Sequence, residues 1–245
     1  MGKSLLTIGL AAVLLAAGCT GDKTPETTPE VKPATLGLAG YDGLKLGMAK
    51  DAALATGKLA AAPTSTMRGC EDFPYKGGPA PDPARMAAEK AAEQKSDELN
   101  RKADEADRNR KPLGANPGAQ QYADSAAESA AVAKAMAESA EAIATVAEKN
   151  EARDKAFRAA GGVAFSSKGV LRALAAPPGA KTDEGIGAGA SLDELKKAYE
   201  GRVMEETSDG GYELRIGTDP AARLQFTFGP DKKVATIMLV GPDPC

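Results

Sequence analysis

The sequence predicts an α+β protein: a small antiparallel sheet covered by short helices, with a long antiparallel helical hairpin inserted into it. Three observations carry this reading. Residues 79–160 are helix-prone apart from one Pro/Gly-rich break. The stretches 162–174 and 212–240 hold short alternating segments separated by turn formers. Two short helical patterns, 48–56 and 192–200, each follow a glycine-bearing turn.

The chain begins with one basic side chain, Lys3, and an apolar run from Leu5 to Ala17. A membrane-spanning helix needs about 20 apolar residues. This run is shorter and reads as the core of a signal peptide. It ends in A-A-G-C-T, Ala16 to Thr20, which resembles the lipobox of bacterial lipoproteins. That resemblance implies a signal peptide over 1–18 and a thioether-linked diacylglycerol on Cys19, often joined by a third acyl chain. The chain would then sit lipid-anchored on the extracytoplasmic face of the cell membrane. Family members more often carry Leu where this chain has Ala16. The alternative is an ordinary secretory peptide in which Cys19 is incidental. Two or three acyl chains hold a protein durably, since each buried CH₂ contributes about 0.8 kcal/mol.

Residues 19–35 carry three prolines and no apolar periodicity, so they read as a disordered tether. At roughly 3 Å per residue it would reach on the order of 45 Å.

From Gly40 the pattern changes, and a related stretch returns 142 residues later. Asp42-Gly43-Leu44 parallels Glu184-Gly185-Ile186, Gly47 parallels Gly189, and Asp51 parallels Asp193. The common spacing favours an internal duplication over chance similarity. Ser191 followed by Glu194 forms a capping-box pattern at the start of the second helix. Strand signals come from Gly162–Phe165 and Val170–Leu174 about a Ser166–Gly169 turn, from alternating Tyr212, Leu214 and Ile216, from Leu224, Phe226 and Phe228, and from Val234–Val240. Thr218–Pro220 and Gly229–Lys232 supply the turns between them. The expected α+β frame is therefore 36–76 plus 162–245, with about five strands.

The inserted hairpin covers 79–160. Its arms, 79–111 and 119–160, flank P-L-G-A-N-P-G at 112–118. In the second arm Tyr122, Ser125, Ser129, Val132, Met136, Ser139, Ile143, Val146, Asn150, Arg153 and Phe157 follow 3,4 spacing beside a line of alanines. The first arm offers a weaker seam of Ala88, Ala92, Lys95, Leu99, Lys102 and Ala106. Arms of 30 to 40 residues would project about 45 to 60 Å. The competing expectation is a loose helix pair without defined contact.

Of three cysteines, acylation of Cys19 would leave Cys70 and Cys245 as an even pair, for which a disulfide is expected outside the cell. Two separate thiols are the alternative. Closing so long a loop stabilises by about 3 to 5 kcal/mol in the chain-entropy model.

The formal charge is −3 from 31 basic and 34 acidic residues; losing Lys3 with the leader makes it 30 against 34, or −4. No basic patch argues for nucleic acid. There is no His and no Trp, which removes His-based triads and His metal ligands. Asp193 with Glu194 and Glu205 with Glu206 are adjacent acids that read as solvated faces. Thr207–Gly211 reads as a turn. Gly185–Ser191 lacks the lysine of a phosphate loop, so no nucleotide is expected. Ser166 and Lys168 fit a hairpin turn. The sequence thus offers no catalytic residue, no metal ligand and no cofactor site.

G-L-K-L-G at 43–47, E-G-I-G-A-G-A-S-L-D-E-L-K-K-A-Y at 184–199, F-T-F-G-P-D-K-K-V-A-T-I-M-L-V at 226–240 and the terminal cysteine resemble secreted and lipidated actinobacterial proteins. Those carry a doubled helix-plus-sheet module similar to beta-lactamase-inhibitory protein. The resemblance covers 36–76 and 162–245; most such relatives have no assigned activity, and the named inhibitor grips its target with a concave, aromatic-rich sheet face. The leading expectation is a non-enzymatic module that binds a protein or an envelope component. The alternatives are an inhibitor of an envelope enzyme, a passive spacer, and an envelope enzyme. The candidate binding face comprises Phe165, Tyr212, Phe226 and Phe228 on strands and Val132, Met136 and Ile143 on the second arm.

Overall fold

A single row of apolar side chains crosses an entire antiparallel sheet and organises the molecule. The computed structural model describes residues 34–215 and 222–243. Cys19, Cys245, Ile216, the leader, most of the tether and the Thr218–Pro220 turn lie outside the described residues. The strands are β1 (Glu71–Pro74), β2 (Gly162–Phe165), β3 (Leu171–Ala175), β4 (Met204–Glu206), β5 (Tyr212–Arg215), β6 (Arg223–Phe228) and β7 (Val234–Val240), in the order β1-β2-β3-β7-β6-β5-β4. The helices are α1 (Lys50–Ala55), α2 (Pro83–Arg108), α3 (Ala119–Ala160) and α4 (Leu192–Ala198). The class is α+β, as the alternation and the helix-prone insert require.

Strand pairing aligns Phe73, Val163, Leu174, Leu239, Leu224, Leu214 and Met204 in that row. Directly paired residues of an antiparallel sheet share a face, so the whole row points one way. Leu36, Leu44, Ala53, Ile186, Leu195 and Tyr199 cover it. Each fully buried Leu or Phe here contributes about 1.5–3 kcal/mol. Phe165 and Phe226 belong to the same core, Phe165 edge-on to Phe73 at 5.6 Å and Phe226 against Tyr199 at 5.7 Å. The capping box forms as read: the Ser191 N–H donates to Glu194 Oε2 at 2.7 Å, and the Glu194 N–H donates to Ser191 Oγ at 3.2 Å.

The strand order reads alike from either edge. Each half runs helix, then an antiparallel meander, and the halves meet where Leu174 faces Leu239. β4 lies outside β5; beyond β1 the corresponding place is held by Leu59, bridged to Tyr75, and Ser65, bridged to Asp72. The opening segments of the two halves touch through a parallel bridge between Leu36 and Thr182.

β1 and β4 carry no strand signal in the sequence. β1 is E-D-F-P and β4 is M-E-E; neither is an alternating apolar run, and β1 tolerates Pro74 near the edge of the sheet. Cys70, fully buried just before β1, is disulfide-bonded. Cys19 and Cys245 both lie outside the described residues, and so does the expected Cys70–Cys245 pairing.

The hairpin departs from the frame between β1 and β2, the connection that corresponds to 216–222 in the other half. With 26 and 42 residues, α2 and α3 are about 39 and 63 Å long at 1.5 Å per residue. Asp82 caps α2 by accepting from the Ala84 and Arg85 N–H groups, with Pro83 in the first turn. α3 returns to the sheet through Gly161, at φ 73°, and Gly162. A Cβ on Gly161 would meet the Pro177 backbone at 2.6 Å, and one on Gly162 would meet the Phe73 carbonyl oxygen at 2.4 Å. Only glycine fits this joint.

Candidate interaction surfaces

The arm is fastened to the frame by buried charge. Asp72, second residue of β1, points away from the apolar row because Phe73 points into it. There Arg153 of α3 grips it with two hydrogen bonds, Nε to Oδ2 at 2.5 Å and Nη2 to Oδ1 at 2.6 Å, both side chains buried. Burial opposes the Arg153 charge, but the Asp72 hydrogen bonds and charge outweigh it, and its pKa is raised. Beside this pair Ser65 donates to the buried Glu89 Oε2 at 2.7 Å, Arg85 donates to the Thr64 carbonyl at 2.6 Å, and the Arg68 N–H donates to Glu93. Phe157 closes the joint by packing on Ala164, Ala173, Ala175 and Met238. The small strand residues make room for the helix.

Further out, polar bonds also link the two arms. Ser139 donates to Asn100, and beyond the end of α2 the Lys111 N–H donates to Glu128 of α3 at 3.1 Å. The buried positions fall at seven-residue intervals: Glu89, Ser96 and Ala103 on α2, and Val132, Ser139, Val146 and Arg153 on α3, with Ala142. The α2 seam is therefore one residue round from Ala88–Lys95–Lys102. Glu89 is drawn in by Ser65 and Arg85 from outside its helix. Because α2 presents one narrow line, it covers only one line of α3.

Of the seven candidate binding residues, five are not free to bind. Phe165 and Phe226 are in the core, Tyr212 and Phe228 pack half-buried against it, and Val132 is in the arm seam. The reason is the strand phase: the aromatics share the face that α1 and α4 cover. The opposite face of β4–β7 carries Glu205, Glu213, Gln225, Thr227 and Thr236, joined by bonds such as Gln225 to Glu213 at 2.7 Å. That face has no aromatic grip.

Met136 and Ile143 do face solvent, at 49 and 47 % exposure, and Tyr122 is 56 % exposed. At 100° per residue these three fall with Ala126, Ser129, Ala133, Ala137, Ala140, Ala144 and Ala147 in one sector about 120° wide. All ten are exposed, and no charged residue between 122 and 147 enters the sector. The strip is about 37 Å long and on the order of 400 Å², the size of the largest apolar patches on monomers, which are often functional. The sequence carried this signal, but its 3,4 spacing was indistinguishable from a seam.

Two shallow recesses carry charged and polar side chains. One of about 460 Å³ at the arm tip is lined by Lys111, Leu113, Asp124 and Glu128. Another of about 460 Å³ lies between Arg158 and the Thr207–Asp209 turn. In the latter the Thr207 hydroxyl bonds Asp209 and holds its carboxyl below the usual range, the opposite of what a general base needs near neutrality. Among the described residues no cluster of three His, Cys, Asp or Glu could hold a metal ion, and no helix is long and apolar enough to cross a membrane. No protein-family model, curated protein or solved structure matches this chain.

Proposed function

We propose that this chain is a lipid-anchored extracytoplasmic binding protein without a catalytic role, and that its binding element is the uncharged strip of α3. The strip carries the reading. A passive spacer has no use for a 120° charge-free sector bordered on one side by Glu148, Glu141 and Lys134 and on the other by the arm seam, since solvated arms distribute charge around the helix. Its alanines let a partner helix approach closely, and Met136 and Ile143 supply apolar anchors. A frame fastened at Asp72–Arg153 holds that strip in a defined direction. Anchoring rests on the lipobox resemblance at Cys19. The palindromic strand order supports a doubled helix-plus-sheet module like that of the inhibitor-like family, although the polar outer sheet face argues for a different mode of binding.

The test uses photocrosslinkers at positions 136 and 143 in intact cells, with position 90 on the outer side of α2 as control. A discrete adduct from the strip positions, lost in Ala140→Glu, is the expected result. Equal labelling at all three positions, or none, refutes the strip as binding element. Anchoring is tested separately: Cys19→Ala should move the folded protein from membrane to soluble fractions, and unchanged retention would overturn it.

A further inference from the structure

The two most exposed large apolar side chains described are Val203, at 64 %, and Leu38, at 58 %. They are remote in sequence yet line one open recess of about 570 Å³, together with Arg202, Glu205 and Arg215. Neither position is required by the fold. Leu38 lies on the turn between Gly37 and Gly40, and Val203 directly precedes β4; either exposed position accepts a polar residue. The charged rim is balanced, with Arg202 on Glu184 at 3.1 Å and Arg215 on Glu205 at 3.2 Å.

The chain enters the described fold at Ala34, four residues before Leu38. Resting on the reading of Cys19 as the lipid-bearing residue, we infer that Leu38 and Val203 dip into the interface of the bilayer that holds the anchor, seating the domain on the membrane by its β4 side. Fourteen residues lie between Cys19 and Ala34, and the covalent span from one to the other cannot exceed about 54 Å. A domain so confined meets the bilayer at an effective concentration in the millimolar range. A weak contact is therefore enough, and two apolar side chains supply a weak contact. A neutral rim gives no attraction to anionic headgroups, so the contact is indifferent to lipid charge. The arm is rooted between β1 and β2, at the opposite edge of the sheet from β4.

The chain has no tryptophan, so one introduced indole reports alone. Full-length lipidated Val203→Trp, Leu38→Trp and Ile143→Trp proteins are reconstituted into zwitterionic phosphatidylcholine vesicles with brominated acyl chains. The expected result is blue-shifted emission and loss of more than half the fluorescence for positions 203 and 38, with position 143 unquenched. Adding Leu38→Glu to Val203→Trp should abolish the quenching while the protein still floats with the vesicles and its circular dichroism is unchanged. Flotation with water-like, unquenched emission at 203 and 38 overturns the seating and leaves the anchor standing. Failure of every variant to float overturns the anchor, and the seating with it.

Discussion

Replacing Arg153 with methionine removes the cation from the arm's root while keeping much of the side chain's volume. Asp72 is then left buried with both hydrogen bonds from Arg153 gone. Each charge-assisted bond contributes about 1.5–3 kcal/mol, and breaking one side of a buried pair costs about 3–5 kcal/mol because the survivor stays desolvated. For a chain of this size the thermal midpoint should fall by roughly 6–20 °C, at 2–4 °C per kcal/mol. Asp72→Leu combined with Arg153→Met should recover most of the loss, since an apolar pair of similar volume avoids the desolvation penalty. Urea unfolding of the single and double variants closes the cycle. A spin-label distance between position 134 on α3 and position 235 on β7 adds a readout of arm direction, expected to broaden in the single variant. A single-variant loss below about 1 kcal/mol, the range of exposed pairs, would refute the buried fastening.

Phe226→Ala should cost about 3–5 kcal/mol as a core truncation, whereas Met136→Glu should stay within about 0.5 kcal/mol and affect only partner capture; equal stability losses would contradict the assignment of faces. Glu194 has a carboxyl held below its usual range by the Ser191 N–H, then by the Ser191 hydroxyl. Its contribution is thus fully present above about pH 4.5, the unfolded value, and is lost as pH falls through the lower folded value. Glu194→Gln should flatten the acid limb of the stability curve, and an unchanged limb would count against the cap. Cys70→Ser should lower stability by about 2–5 kcal/mol, as native disulfides do, measured by urea unfolding against wild type without reductant.

The sequence displayed most of the frame and little of its faces. α3 was legible to the residue because Gly118 and Gly161 bracket 42 residues of strong helix formers. β6 and β7 were legible because their apolar positions alternate or run on. β1 and β4 were not, being short and held in place by neighbours rather than by their own pattern. The α2 seam misled because Glu89 is buried through Ser65 and Arg85, partners that no periodicity within the helix can reveal. The aromatic residues were found, but not the side they face, since alternation fixes which residues share a face and not which face α1 and α4 cover. Leu38 and Val203 gave no signal, because isolated apolar residues in connecting segments look alike until the fold brings two of them together.

The glycine joint gives the arm the mechanics of a lever. Arg153 sits about 12 Å along α3 from Gly161 and the tip about 63 Å along it, at 1.5 Å per residue. Any slack at the arginine is therefore multiplied about fivefold at the tip, and half an ångström at the root becomes some 2.6 Å at the far end. A pair of short, directional bonds limits that slack in a way that sliding apolar contacts cannot. Aim, more than stability, is what a buried Asp–Arg pair at this place confers.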